Sequence, residues 1–240
     1  MAEEIHDQSH TEKLDRNGWK LIVTLFIFAS LNLTVLLTAA GHLRYANAWA
    51  MVLFTLSMQM TGLATLAIKN PTLLNERGKG IKEDTKSFDR WFFKLYLPMA
   101  YIMMIVAGLD AGRFGWTSVP PPLTILGFVV TFFMYGWAFW AMLTNTHFEM
   151  TVRIQEDRDQ KVITTGPYAY IRHPGYLTAV TVLMMCPLML GGLWAYIPAS
   201  LAALIMIART ALEDKTLHQE LKGYPEYAQR VRFRLFPGIW

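Results

Sequence analysis

The sequence predicts an all-α fold, a polytopic membrane helix bundle of about five to six transmembrane helices. The first observation is composition: of 240 residues, 53% are hydrophobic and 17% are charged, against roughly 25% charged in a soluble domain. The second is that the apolar residues gather in tracts close to the ~20 residues that a helix needs to cross a bilayer. The third is that most basic residues lie between or beside these tracts. Together these observations predict an integral membrane protein.

Four apolar tracts fill the first part of the chain. They run over 19–40, 45–68, 91–109 and 123–144, and a charged connection at 69–90 separates the second from the third. The polar N-terminal tail, 1–18, carries His6 and His10 four residues apart. That spacing would suit a metal pair on a helix, but in a polar tail we interpret the two histidines as solvated, and we expect no metal site.

The rest of the chain combines polar segments with a predicted helical hairpin. Residues 145–165 are polar, and we expect them to extend the fourth helix into water. A fifth apolar tract, 176–190, is short for a full span, and Gly191 and Gly192 separate it from a sixth at 193–212. Because glycines permit a tight turn, these tracts predict a hairpin that includes a C-terminal membrane helix. Whether the fifth tract crosses the whole bilayer is left open.

The distribution of positive charge predicts the orientation. All but three of the 22 Lys and Arg residues lie in or beside the N-terminal tail, the connections 69–90 and 145–175, and the C-terminal segment. Cytoplasmic loops carry an excess of Lys and Arg. We therefore expect both termini and both large connections in the cytoplasm, with the helices in an inner or plasma membrane. The formal charge of +4 follows this topology and does not indicate a nucleic-acid partner.

One short stretch, 166–176, concentrates residues that can carry chemistry. It reads Gly-Pro-Tyr-Ala-Tyr-Ile-Arg-His-Pro-Gly-Tyr. Each proline fixes its own φ and disfavours helix in the residue before it, so the stretch predicts an ordered turn where a membrane segment begins. Arg172 and His173 would be placed there to hold an anionic or polar ligand. The alternative is an aromatic and basic anchor at the membrane interface.

A second group of polar residues leaves the sixth tract. Arg209 and Glu213 are four residues apart and share a helical face, and Asp214 follows. Because the fifth and sixth tracts form a hairpin, this group should lie beside the turn at 166–176. It predicts either a polar pocket at the membrane surface or a single interfacial ion pair of little energetic value.

The C-terminal segment supplies a cover for such a pocket. Tyr224, Tyr227 and Arg230 recur every third residue, which places them near one face of a helix and able to cover a ligand. The alternative is that they dock the tail on the bilayer.

These elements together resemble the isoprenylcysteine carboxyl methyltransferase and phospholipid methyltransferase family of bacterial-type integral membrane enzymes. The shared pattern is a G-x-Y-x-x-x-R-H-P turn, a hydrophobic hairpin, an R-x-x-x-E-E helix exit and a Y-x-x-Y-x-x-R-V tail. The run N-P-x-L-L-x-E-R at 70–77 also looks like bacterial members. Two positions depart from the pattern: Asp214 replaces the second Glu, and Gln160 stands where enzymes acting on prenylated protein tails tend to have His.

The resemblance implies an S-adenosylmethionine-dependent methyltransferase whose catalytic region spans 145–240, with a C-terminal cap at 213–240. The cofactor would lie in a cytoplasmic pocket outside any Rossmann domain, and the sequence contains no G-x-G-x-x-G motif. Arg172 and Arg209 would orient an anionic group as the catalytic residues. The implied cofactor-binding residues are Gly166, Tyr168, His173, Pro174, Tyr176, Glu213, Asp214, Tyr224 and Tyr227.

The acceptor stays open. A cleft open to lipid would admit a lipophilic acceptor, such as an isoprenylcysteine-type carboxylate, a lipid headgroup amine or a small thiol, and membrane lipids would surround it. Two other functions compete: an NADPH-dependent membrane reductase related to sterol reductases, and a non-catalytic membrane transport or scaffold protein.

Overall fold

A computed structural model of the protein describes residues 13–240, and His6 and His10 lie outside this range. The described chain forms eight α-helices and no strands. These are α1 (Arg16–Ala40), α2 (Ala46–Lys69), α3 (Pro71–Gly78), α4 (Ser87–Ala107), α5 (Pro121–Thr144), α6 (Pro174–Leu190), α7 (Tyr196–Glu220) and α8 (Tyr224–Arg230).

Five helices, α1, α2, α4, α5 and α7, are long and apolar enough to cross a membrane. This confirms the predicted fold class. Helix α4 continues into a π-helical segment, Gly108–Phe114, and a 3₁₀ turn at Leu193–Ala195 precedes α7. Helix α6 is apolar but has 17 residues, about 25 Å at 1.5 Å per residue. It is therefore shorter than the ~30 Å hydrocarbon core.

Local sequence signals set several helix ends. The Asp15 carboxylate accepts hydrogen bonds from the backbone N–H groups of Asn17 and Gly18 and so caps α1. The Asn70 side chain caps α3 in the same way. Gly191 takes the left-handed conformation, φ 85°, that ends α6. That conformation suits glycine, and it turns the chain through the 3₁₀ turn at Leu193–Ala195 into α7, which forms the predicted hairpin.

Buried polar side chains hold the loops at one end of the bundle in place through hydrogen bonds. The carboxylate of Asp110, fully buried, accepts hydrogen bonds from the backbone N–H groups of Thr117 and Trp194. The Tyr45 hydroxyl donates to the carbonyl of Leu190 at 2.5 Å. These bonds satisfy backbone groups that a membrane would leave without partners.

The prediction for residues 145–165 is wrong: they do not extend the fourth helix. Helix α5 ends at Thr144, and the Asn145 side chain accepts a hydrogen bond from the backbone of His147. The following chain, which we call the wall segment (residues 145–165), folds back over the bundle. Its Val152 N–H donates to Asp89, and its Val152 carbonyl accepts from Lys86. Hydrogen bonds to α4 thus replace those a longer helix would form.

A close contact between α1 and α3 gives the first testable prediction. A Cβ added at Gly78 would lie 1.9 Å from the carbonyl oxygen of Asn17. Because the obstacle is backbone, we expect Gly78→Ala to separate the helices and to destabilise the protein by ~1–3 kcal/mol. Thermal unfolding in detergent measures this. Gly136→Ala is the matched control, since nothing lies within 4 Å of its added Cβ. Equal melting temperatures for the two variants would contradict the prediction.

Candidate active site

A polar pocket lies at the end of the bundle where α5 ends, α6 begins and α7 ends. The turn before α6, the last turns of α7, helix α8 and the wall segment all line it. Eight of the eleven residues that the sequence singled out contribute to its lining: Tyr168, Arg172, His173, Pro174, Tyr176, Glu213, Tyr224 and Tyr227. Gly166, Arg209 and Asp214 lie outside the lining.

Contacts at both ends of the turn at 166–176 hold it in place. Gly166 opens it with a left-handed φ of 58°, and a Cβ there would lie 2.7 Å from the Thr144 hydroxyl oxygen. Further along, the backbone N–H groups of Arg172 and His173 donate to the carbonyls of Phe233 and Arg234, both at 3.0 Å. Gly166 therefore shapes the turn without lining the pocket, and the C-terminal chain holds the turn in place.

Asp214 lies beneath the pocket rather than in it. Its side chain is almost fully buried and has four hydrogen-bonding partners. The Tyr224 hydroxyl donates to it at 2.9 Å and the Arg234 Nε at 2.8 Å. Arg172 forms an ion pair with it at 3.1 Å, and the His173 Nε2 lies 3.2 Å away. One carboxylate thereby joins the turn, α7, α8 and the C-terminal tail.

Glu213, one residue earlier, faces the pocket. Its carboxylate accepts a hydrogen bond from the Tyr176 hydroxyl. This bond fixes the position of the Glu213 side chain. The Tyr176 ring stacks on the His173 ring at 5.7 Å between centroids. The two neighbouring acids therefore have different environments, because Asp214 is enclosed by cations while Glu213 keeps a carboxylate edge toward the cavity.

Arg209 is paired, but not with Glu213. Its Nε donates to the buried Asp89 at 2.6 Å and its Nη2 to the carbonyl of Met150 at 2.8 Å. Its guanidinium also lies over the ring of Tyr176, 5.0 Å from the centroid. Arg209 thus supports the pocket from behind through Tyr176. Sequence reasoning missed Asp89, which sits 120 residues away at the start of α4.

Helix α8 covers the pocket with two tyrosines. Tyr224 and Tyr227 are buried, and the Tyr227 hydroxyl donates to the Tyr168 carbonyl at 2.8 Å. Burial raises the pKa of Tyr224 and of Tyr227 well above the usual value of a phenol, so both remain hydrogen-bond donors at neutral pH. The third member of the pattern, Arg230, is exposed. Arg234 supplies the cation at Asp214 instead.

The wall segment gives the pocket a charged flank that the sequence did not indicate. Arg153 is buried and binds the carboxylates of Glu149 and Asp157 at 2.9 and 2.8 Å. Hydrogen bonding to Glu149 raises the pKa of Arg153. Burial lowers the pKa of His147 in the same wall, which favours its neutral form. Charge alternation at 149–157 was visible in the sequence, but it gave no sign of where the segment folds.

A second, apolar cavity of about 450 Å³ lies between the helices below the pocket. Its lining comes from α1 to α6 and includes Met103, Phe139 and Leu183. Both cavities share Phe148 and Gly175 in their linings. A polar pocket therefore adjoins an intramembrane space of the size that commonly holds small ligands, ~300–1,000 Å³.

This fold and site define a polytopic helical membrane protein with a polar pocket at one end and an apolar cavity within the bundle. The model of the isoprenylcysteine carboxyl methyltransferase (ICMT) family matches residues 125–219. The match covers most of α5, the wall segment, the turn, α6 and α7 through Gln219. It confirms the resemblance over this region and supports a membrane methyltransferase. A comparison with curated proteins found no match.

Proposed function

We propose that the protein is an S-adenosylmethionine-dependent methyltransferase that transfers a methyl group to a lipophilic acceptor. One observation carries the proposal. Residues of the turn at 166–176 and Glu213 at the exit of α7, which all lie in the region matched by the ICMT family, line a polar pocket that directly adjoins an apolar cavity in the membrane. A water-soluble donor and a membrane-dissolved acceptor could meet at that boundary.

Polar groups in and beside the pocket fit the donor's functional groups. The Nε of Arg172 and the hydroxyl of Thr151 are buried without a hydrogen-bond partner in the described structure, and both residues line the pocket. An unsatisfied buried donor costs free energy, which a bound carboxylate or hydroxyl would recover. We assign Arg172 to the donor's carboxylate, and Glu213 to its ammonium or ribose hydroxyls. Tyr168, His173, Pro174, Tyr176, Tyr224 and Tyr227 would surround the remainder.

When bound, S-adenosylmethionine supplies a methyl group already activated on a sulfonium. The protein therefore needs mainly to align the reacting groups and to exclude water. Tyr224 and Tyr227 would close the pocket. Arg209 would act as a positioning residue, because it holds the Tyr176 ring that fixes Glu213. Asp214 and Gly166 would order the turn. A carboxylate acceptor is already ionised at pH 7 and needs no general base.

The charge distribution supports a cytoplasmic site. The wall segment, the turn and the C-terminal helix α8 lie on the side that the basic residues assign to the cytoplasm. We propose an inner or plasma membrane protein with both termini in the cytoplasm, and a lipophilic or lipid-anchored acceptor as its partner.

Calorimetric titration of the detergent-purified protein with S-adenosylhomocysteine, with NADPH in parallel, tests this function. We expect saturable binding of S-adenosylhomocysteine and none of NADPH, because the unpaired Nε of Arg172 suits one carboxylate, while Arg153, the other arginine in the lining, is already bound by Glu149 and Asp157. Binding of NADPH alone would instead assign a reductase, and binding of neither would leave a non-catalytic membrane protein.

A further inference from the structure

The polar pocket and the apolar cavity meet at one aromatic ring and one glycine, because Phe148 and Gly175 line both spaces. A Cβ added at Gly175 would lie 2.4 Å from Cζ of Phe148, so the ring lies directly on the backbone where α6 begins. Phe148 also packs against two apolar clusters, one containing Tyr168 and Tyr224 and the other containing Leu73 and Leu74. It therefore separates two spaces that would otherwise be continuous.

Arg77, the last residue of the N-P-x-L-L-x-E-R run, holds this ring in place. Its Nη1 donates to the Phe148 carbonyl at 3.0 Å, and its guanidinium carbon lies 5.4 Å from the centre of the Phe148 ring. That distance allows a cation–π interaction. The same side chain lines the apolar cavity. Rotation of the Phe148 ring away from Gly175 would break the ring contact and leave the guanidinium facing the opening.

The positive charge of Arg77 is not neutralised by an ion pair within the described chain. Glu149 influences the Arg77 guanidinium electrostatically, but Lys82 and Arg153 already bind that carboxylate, each at 2.9 Å. Burial lowers the pKa of Arg77 to about 10, so the side chain stays charged at neutral pH. A cation without a counter-ion at the end of an apolar cavity attracts an anion and repels an ammonium group.

We propose that Phe148 is the gate between the apolar cavity and the polar pocket, and that Arg77 both latches this gate and selects against acceptors whose reactive group is cationic. The inference rests on the proposed function, since the acceptor of the methyl group would pass this point. It makes Arg77 and Phe148 determinants of acceptor specificity. This gives the arginine of the N-P-x-L-L-x-E-R run a chemical role.

Thiol labelling tests the gate without any cofactor. Cys186 is the single cysteine, so a Cys186→Ser background carries no other thiol. In that background Ala179→Cys places a thiol on the cavity side, because Ala179 lines the cavity one helical turn beyond Gly175. The labelling rate by a charged, membrane-impermeant methanethiosulfonate, measured by mass spectrometry in lipid nanodiscs, reports passage from the pocket.

Opening the gate should accelerate this labelling. A closed gate opens in roughly 0.1–10% of molecules, so Phe148→Ala should raise the rate about tenfold or more. Gly175→Ala should also raise the labelling rate, because the added Cβ displaces the Phe148 ring. The matched control is Phe114→Ala, which removes a ring that also lies beside an arginine, at 5.6 Å from Arg113, but at the other end of the bundle. If both gate variants label at the control rate, Phe148 is not a gate.

Charge selection is read from the same assay with two reagents. With the gate opened by Phe148→Ala, and with each rate divided by the same reagent's rate on a free thiol in solution, a sulfonate reagent should label roughly tenfold faster than its trimethylammonium analogue. Adding Arg77→Gln should bring this ratio close to one, whereas adding Arg77→Lys or the control Arg113→Gln should preserve it. An unchanged ratio in Arg77→Gln would overturn the selective role of Arg77. None of these outcomes depends on S-adenosylhomocysteine binding, so the gate and the proposed function can fail separately.

Discussion

Replacing Asp214 by Asn should unfold the pocket end of the protein. The Asp214 carboxylate is buried among Arg172, His173, Tyr224 and Arg234. An amide would remove the negative charge and leave two guanidiniums near each other without their counter-ion. Breaking a buried charge pair by changing one partner costs ~3–5 kcal/mol. We expect a large drop in the thermal unfolding temperature in detergent, followed by loss of S-adenosylhomocysteine binding as a consequence.

The matched control is Asp84→Asn. Asp84 also binds an arginine, Arg153 at 2.9 Å, but its side chain is 53% exposed. Exposed ion pairs contribute only ~0–1 kcal/mol, so this variant should melt close to the wild type. Similar melting of the two variants would mean that Asp214 does not organise the site in the way its contacts indicate.

The contrast between local and distant contacts explains what could be predicted from the sequence. The turn at 166–176 and the hairpin of α6 and α7 were predictable, because Pro, Gly and apolar tract length act over neighbouring residues. Asp89 as the partner of Arg209, and Arg234 in place of Arg230, were not. The first pairing depends on how α4 and α7, far apart in sequence, meet, and the second on how the C-terminal tail folds back onto α7, and no periodicity within one segment records either.

The wall segment also could not be predicted from local sequence, although its composition fitted a helix. Its polar composition was compatible with a solvated helix, so helix extension was a reasonable prediction from residues 145–165 alone. The decisive bonds are to Asp89 in α4 and to the backbone N–H of Lys86 just before α4, which bind both backbone groups of Val152. Phe148, carried on this segment, reaches the boundary of the two cavities only because the chain folds back. A site built from such a segment is visible only in three dimensions.

The two adjacent acids were given one common role by the sequence, but their surroundings separate them. Asp214 has its oxygens occupied by protein groups, whereas Glu213 accepts one hydrogen bond from Tyr176 and lines the pocket. Successive residues of a helix point about 100° apart, so one acid can face the cavity while the next faces the packed interior. We therefore propose that Glu213 binds the ligand and that Asp214 builds the site.

Glu213→Gln should accordingly weaken S-adenosylhomocysteine binding with little change in stability. A hydrogen bond to a charged group contributes ~1.5–3 kcal/mol, so the dissociation constant should rise by roughly 10- to 150-fold. The amide oxygen can still accept from Tyr176, which is why the melting temperature should stay near that of the wild type. Calorimetry and thermal unfolding on the same preparations separate these two effects.

Glu226→Gln serves as the control for this change, because Glu226 lies on α8 but is exposed and outside the pocket. Its affinity for S-adenosylhomocysteine should equal that of the wild type. Full affinity in Glu213→Gln would remove Glu213 from the binding site and shift the assignment toward Arg172 and the tyrosines. Loss of affinity together with a large fall in melting temperature would instead give Glu213 the organising role assigned to Asp214. The combination of the Glu213 and Asp214 variants therefore decides whether the acid pair divides binding from architecture.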